Sequence, residues 1–257
     1  MIPGVGSISP VRRGAAPEPP PGQVVGDKEA YVREMFSRIA PVYDLMNRVL
    51  SLHQDVRWRR VTALAAGVGP GDMVLDVATG TGDLILALAR LVSPGGQVVG
   101  VDFCPDMLRL ARKKLERSPY LGMCELLEAD AMDLPFDDGR FDAVTIGFAM
   151  RNVPSIERCL REMRRVTRSG GRVLCLELSQ PEFPVLRQLH SIYLSRLVPA
   201  LGWIGHRRRG PYDYLPRSIR SFPDKETLAT MMRGVGLRGV RYVSLSSGIA
   251  AVHVGEA

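Results

Sequence analysis

Apolar and polar positions follow a helical period at the start of the chain and a strand-helix alternation after it. From Asp27 onward, Tyr31, Met35, Phe36 and Ile39 recur at helical spacing until Pro41, which predicts a helix over KEAYVREMFSRIA with Asp27 as its N-cap. Two further short helices, VYDLMNRVLSL and DVRWRRVTALAA, lead to the turn GPGD. Strands are then predicted at 73–77, 97–102, 123–128, 141–147 and 171–178, with helices starting near Asp83, Pro105 and Pro154. Short apolar strands separated by helices imply a parallel sheet covered on both faces. The tail, RGVRYVSLSSGIAAVHVG, adds two β-rich runs around a Ser-Ser-Gly turn, which would close the sheet with antiparallel strands.

Residues 1–26 break the pattern, being rich in Pro and Gly without apolar periodicity; a disordered arm is expected there, and a single domain over 27–257. Arg12 and Arg13 stand against one acid, Glu18, yet the arm lacks the amphipathic Arg/Ser pattern of a transit peptide. No run of eighteen uncharged apolar residues occurs, so no bilayer span is expected. With 257 residues, 46% hydrophobic, the chain can bury one real core. Its net charge of +7 suits nucleic acid, anionic lipid or acidic substrates without choosing among them. Cys104, Cys124, Cys159 and Cys175 stand alone with no secretory signal ahead, which points to a reduced, cytoplasmic setting. His53, His190, His206 and His253 show no ligand spacing, and no protein-bound metal is expected.

The stretch VLDVATGTGDL, residues 74 to 84, reads as a strand, a glycine turn and a helix start, the place where an open α/β sheet binds its ligand. A dinucleotide fingerprint would need a third glycine, and Asp76 just before the loop would repel a pyrophosphate. No Gly-Lys-Ser/Thr follows, which excludes a P-loop. The pattern fits a ligand with a positive centre and no phosphate, whose adenosine approaches the backbone at Gly80 and Gly82. S-adenosylmethionine is such a ligand: its sulfonium and amino group tolerate Asp76, and its carboxylate can face the amides at the helix start. Asp102 ends the second strand, twenty residues past Gly82, where an acid meets ribose hydroxyls; Asp130 and Ala131 stand at the third tip, within reach of an adenine amino group.

These residues carry a resemblance. FSRIAPVYDLMNRVLSL, VLDVATGTGDL, LPFDDGRFDAVTIGFAMRNV, LREMRRVTRSGGRVLCLELSQP and YDYLPRSIRSFPDKETLATMM are similar, in order, to the menaquinone and ubiquinone C-methyltransferase family of the class I methyltransferases. The resemblance implies a Rossmann-like, mostly parallel seven-stranded sheet with an antiparallel C-terminal strand, and a cofactor pocket lined by Thr81, Asp102, Asp130 and Ala131. Three positions depart from the family's pattern: Ala78 replaces the first glycine of the general methyltransferase loop, Gly147 stands where some relatives have a serine near the cofactor, and Asp55 where many have a histidine.

The substrate implied is a prenylated quinol, demethylmenaquinol in the first place; the alternatives are the benzoquinol intermediate of ubiquinone synthesis and, from another class, RNA. GFAMRN lacks both the Asn/Asp-Pro-Pro-aromatic loop of base amino-group methylation and the cysteine of RNA carbon methylation, so no nucleic acid partner is expected. A ring carbon becomes a good nucleophile when the adjacent hydroxyl, with a pKa of about 10, loses its proton, so a base should contribute roughly 10²–10⁴-fold. Asp44, His53, Asp55, His190 and His253 are the candidate bases, and Tyr43, Arg151 and Asn152 the candidates to hold ring oxygens, although Asn152 could equally cap the helix after Pro154. Residues 27–70 form N-terminal helices and 183–223 an inserted helical lid. In the lid Val185, Leu189, Ile192, Tyr193, Leu197 and Leu201 recur at helical spacing, and Trp203 beside Arg207, Arg208 and Arg209 suggests peripheral contact with the inner face of an anionic membrane.

Overall fold

The computed structural model describes residues 25–193 and 210–257. Three helices open the chain, α1 (Val25–Ile39), α2 (Tyr43–Leu50) and α3 (Gln54–Ala65), with a 3-10 turn at Ala40–Val42. Strand and helix then alternate through β1 (Met73–Val77), α4 (Asp83–Val92), β2 (Gln97–Asp102), α5 (Pro105–Leu115), β3 (Cys124–Glu128), β4 (Phe141–Gly147), α6 (Ile156–Val166) and β5 (Thr167–Leu178). After α7 (Pro184–Ile192) and α8 (Gly210–Ser221) come α9 (Lys225–Gly234), β6 (Arg238–Leu245) and β7 (Ala250–Glu256).

The seven strands form one sheet in the order β3-β2-β1-β4-β5-β7-β6. β1 to β5 are parallel, while β7 runs antiparallel between β5 and β6. Because strand side chains alternate, each face has its own core. Leu75, Val77, Val144 and Ile146 pack on one side with Leu160 and Met163 of α6 and Leu228 of α9. Val74, Val98, Ala143 and Leu174 pack on the other, where α4 delivers Leu84, Ile85, Leu88, Ala89 and Val92 at helical spacing and α3 delivers Trp58. The order reverses direction between β1 and β4, and that switch point opens the crevice in which ligands bind in such sheets.

The expected strands and helices are present, with three differences. α1 runs from Val25, so Asp27 lies inside the helix and is not its cap. β5 begins at Thr167, where Phe141 pairs with it before a register shift carries Ala143 to Arg172. α6 is capped by Ser155, whose Oγ accepts from the amide of Arg158 at 3.3 Å, which leaves Asn152 free of that duty. The rest of the expected arm, residues 1–24, and Leu197, Leu201, Trp203, His206 and Arg207 to Arg209 of the expected lid lie outside the described residues.

Candidate active site

The tips of β1 to β4 converge on a hollow of about 780 Å³. Its rim is the loop after β1, in which Ala78, Gly80 and Gly82 all hold positive φ, at 51, 58 and 85°. The two glycines do different work. A Cβ on Gly80 would point into open space, as a position facing a ligand requires. A Cβ on Gly82 would meet Ala111 Cβ at 3.2 Å and Ile85 Cγ2 at 3.3 Å. Gly82 therefore serves the close packing of α4 on α5 on its Cβ side. Ala78 adopts the left-handed region although it carries a side chain, a strained choice at the point where many such loops use glycine.

Three acids stand on successive strand tips. Asp76 is buried and accepts from the hydroxyls of Thr79 and Thr145, each at 2.7 Å. Asp102 is buried too; its Oδ2 accepts from the Gly80 amide at 2.8 Å and its Oδ1 from the Cys104 amide at 2.9 Å. Burial raises both carboxyl groups to a pKa of about 6, and the hydrogen bonds they accept offset part of that rise. Asp130 is exposed and its Oδ1 accepts from the Met132 amide at 2.8 Å. Asp102, Asp130, Ala131, Gly80 and Gly147 line the main hollow. Asp76 and Thr81 line a smaller recess that shares Ala78, Gly80, Gly147 and Tyr43 with it. Thr81 does not present a free hydroxyl, since its Oγ1 donates to Asp44 of α2 at 2.5 Å.

A second, larger hollow, about 1050 Å³, lies between the N-terminal helices and α7 and α8. Tyr43 and Phe148 belong to both hollows. Tyr43 packs edge-on against Phe36 at 5.9 Å, so its ring divides the two spaces. Asn152, 8% exposed, has its Oδ1 engaged by the hydroxyl of Tyr214 at 3.1 Å while its Nδ2 is buried without a partner, an orphan donor on the wall of the first hollow. Such donors are costly to leave unpaired, and a ligand oxygen would satisfy this one. Arg151 faces the second hollow but is held by Glu177: Nη1 lies 2.6 Å from Oε1 and donates to the Phe148 carbonyl, also at 2.6 Å. Nη1 is thereby taken up, while the buried Nε has no partner and remains a donor for the ring oxygen that Arg151 is expected to hold.

The five candidate bases separate cleanly. Asp44 bonds Thr81 and forms an ion pair with Lys114 at 2.8 Å. His53 is exposed at the start of α3, outside both hollows. His253 lies under the sheet edge with Nε2 2.8 Å from the Lys225 carbonyl, away from both hollows. Asp55 does line the second hollow, yet it accepts from Arg59 at 2.7 Å and from Ser51 at 2.8 Å. His190 lines the same hollow, stacked on Tyr193, and burial lowers its pKa.

The chain matches the ubiE/COQ5 methyltransferase family over residues 24–257. It belongs to that family. It is 42% identical over 231 residues to a ubiquinone/menaquinone biosynthesis C-methyltransferase of a Geobacter species, which covers 90% of this chain and 98% of the relative. It is 46% identical over 222 residues to a demethylmenaquinone methyltransferase of Thermus thermophilus, which covers 86% of this chain and 99% of the relative. A solved SAM-dependent methyltransferase of Aquifex aeolicus shares the fold at a TM-score of 0.55 and 19% identity, over 75% of this chain and 85% of that one. The chain is a methyltransferase, and the Rossmann-like seven-stranded sheet expected of it is present.

Sequence reasoning missed several residues of this methyltransferase. Glu177 fixes Arg151 from the tip of β5, and nothing in LCLELSQ marks it apart from a charge in an apolar run. Lys114 of α5 bonds Asp44 and Asp83, and Arg48 of α2 reaches Asp83 at 3.5 Å. These bonds hold α2 over the glycine loop. Burial would push Asp83 up, but Lys114, Arg59 and Arg48 outweigh it and keep the carboxyl below its usual range. Arg59, buried between the second hollow and the smaller recess, carries no mark in the sequence beyond its place in a helix.

Proposed function

We propose that this methyltransferase uses S-adenosylmethionine to methylate a ring carbon of a prenylated quinol, converting demethylmenaquinol to menaquinol. The observation that carries the reading is the pair of hollows meeting at Tyr43 and Phe148: one rimmed by acids on strand tips, the other apolar and deep, in a chain whose relatives are quinone C-methyltransferases along nearly their whole length. The residues fit the cofactor. Gly80 leaves room for close approach, Asp102 is placed for ribose hydroxyls, Asp130 and Ala131 for adenine, and Asp76 for an ammonium group.

When bound, S-adenosylmethionine supplies a methyl group on a sulfonium whose departing thioether is neutral, so the displacement needs little acid assistance. The chain's share is orientation, which reaches roughly 7–11 kcal/mol in ideal cases, and removal of a hydroxyl proton. Tyr43 and the orphan Nδ2 of Asn152 position the ring at the junction, and Tyr214 fixes the Asn152 amide by occupying its oxygen. His190 accepts the hydroxyl proton, directly or through water. Met46, Leu50, Leu215 and Ile219 give the prenyl tail an apolar wall. Phe183, Val185, Leu189 and Ile192 stand exposed on and beside α7, a surface suited to peripheral contact with the lipid that holds such a substrate.

Purified protein, incubated with labelled S-adenosylmethionine, should place label on the carbon of prenylated naphthoquinol only under reducing conditions. Equal labelling of the oxidised quinone, label on oxygen, or preference for a benzoquinol or RNA would overturn the reading.

A further inference from the structure

A buried cation stands between the second hollow and the smaller recess. Arg59 is 9% exposed and lines the recess beside the glycine loop together with Asp76, Thr81 and Asp83. Its Nη1 donates to Asp55 Oδ2 at 2.7 Å, and its guanidinium carbon lies 5.0 Å from the centroid of the Phe148 ring. No other hydrogen bond from this guanidinium is made among the described residues. A guanidinium carries five N–H donors in a rigid fork, so most of this one is left without a protein acceptor at a residue that lines the recess. The neighbouring cations are committed elsewhere: Lys114 to Asp44 and Asp83, Arg48 to Asp83, Arg151 to Glu177.

What such a recess asks for is an anion of planar, two-oxygen geometry. The amides at the start of α4 do not suit one unaided, because Asp83 is the first residue of that helix and is held ionised by its cationic partners. Asp76, deeper in the recess, adds a second acid. A carboxylate entering here meets two like charges and one unsatisfied fork, so only the fork can make its burial favourable.

We propose that Arg59 holds the carboxylate of the methionine portion of S-adenosylmethionine, with Asp55 fixing the guanidinium through Nη1 and Phe148 supporting its face. Asp76 then faces the ammonium group of the same amino-acid end. The assignment rests on the cofactor reading above and deepens it: this chain distinguishes S-adenosylmethionine from decarboxylated S-adenosylmethionine, and Arg59 makes the distinction.

Titration calorimetry tests it with binding as the readout. Wild type should bind S-adenosylmethionine at least about tenfold more tightly than the decarboxylated compound, as loss of a charge-assisted hydrogen bond predicts. In Arg59→Met the two affinities should converge, because only the carboxylate-bearing ligand weakens. Arg59→Met leaves Asp55 buried without its partner, so Asp55→Asn combined with Arg59→Met serves where the single variant does not fold. Asp102→Asn, at the ribose end, should weaken both ligands alike and preserve their ratio. Equal affinities in wild type, or a ratio that survives in the double variant, overturn the Arg59 assignment alone. Absence of binding of either adenosyl compound to wild type overturns the cofactor reading, and this assignment with it.

Discussion

Asp102 Oδ2 accepts the amide of Gly80 at 2.8 Å, so the acid proposed to meet the ribose also ties the glycine loop to the tip of β2. Substitution there has two consequences that can be separated. Asp102→Ala strips the Gly80 and Cys104 amides of their acceptor and should cost about 1–3 kcal/mol of folding stability, together with at least tenfold in cofactor affinity. Asp102→Asn keeps one acceptor oxygen and should lose affinity with less damage to the fold. Urea denaturation and calorimetry on the two variants read these separately; unchanged affinity in both would remove Asp102 from the cofactor site.

Burial places the Asp76 and Asp102 carboxyl groups at about 6, above the ordinary 3.8, and this fixes the sign of two pH effects. The folded protein without ligand favours their protonated forms, so its stability should fall as pH rises from about 4 to about 6 and level off above. Ligand binding uses the ionised forms and should tighten through the same window. Urea midpoints and calorimetric affinities measured from about pH 4 to about pH 8 test both; an affinity that is flat across this range would mean that these acids do not face the ligand.

Ala78 pays for its left-handed backbone at φ 51°. Ala78→Gly relieves roughly 1–2 kcal/mol of strain and adds about 0.4–1 kcal/mol of unfolded-chain entropy, so a net gain of about 0.5–1 kcal/mol is expected. A small rise in thermal midpoint with unchanged cofactor affinity is the expected result. A fall in stability would show that the loop relaxes differently from the geometry described.

His190→Gln removes the proposed base while preserving polarity and approximate size. The turnover number should drop roughly 10²–10⁴-fold with little change in cofactor affinity, and raising the pH should recover part of it as the quinol ionises unaided. A turnover number within twofold of wild type would return the base to the other candidates.

Val185, Leu189 and Ile192 recur along α7 at helical spacing and are all exposed. Changing the three to Ser should weaken sedimentation with anionic vesicles and slow methylation of a long-tailed quinol, while sparing a short-tailed soluble analogue. Equal loss on both substrates would make the face a structural one.

The sheet was legible because each strand is a compact apolar run bounded by glycine or an acid, as in VLDVATG, and α4 because Leu84, Leu88 and Val92 keep strict helical spacing. The acids on the tips were legible for the same reason: once the strands are placed, Asp76, Asp102 and Asp130 can only lie at their ends. What the sequence concealed were pairings across distance. Arg151 reads as an available cation until Glu177, 26 residues later, arrives on the neighbouring strand. Gly82 reads as a ligand glycine, and its packing against Ala111 of α5 shows only once the two helices are brought together. Arg59, in the run RWRR, follows the bulk of Trp58 and looks like one more solvated charge; only the packing of α3 on α4 turns it inward. Asp27 and Asn152 met the chemistry of caps, but α1 continues through the first and Ser155 takes the place of the second.

The bonds from α2 to the glycine loop bear on traffic. Thr81 to Asp44, Lys114 to Asp44 and Arg48 to Asp83 join a helix of the N-terminal segment to the loop and helix start that rim the proposed cofactor site. The Asp44 and Lys114 side chains retain 34 and 24% of their exposure, so the ion pair between them is open to screening by salt. Exchange of spent cofactor for fresh then becomes an ionic-strength-dependent step. Stopped-flow release of S-adenosylhomocysteine should quicken as salt rises and should lose that dependence in Asp44→Asn, placing the tempo of the enzyme in its doorway as much as in its chemistry.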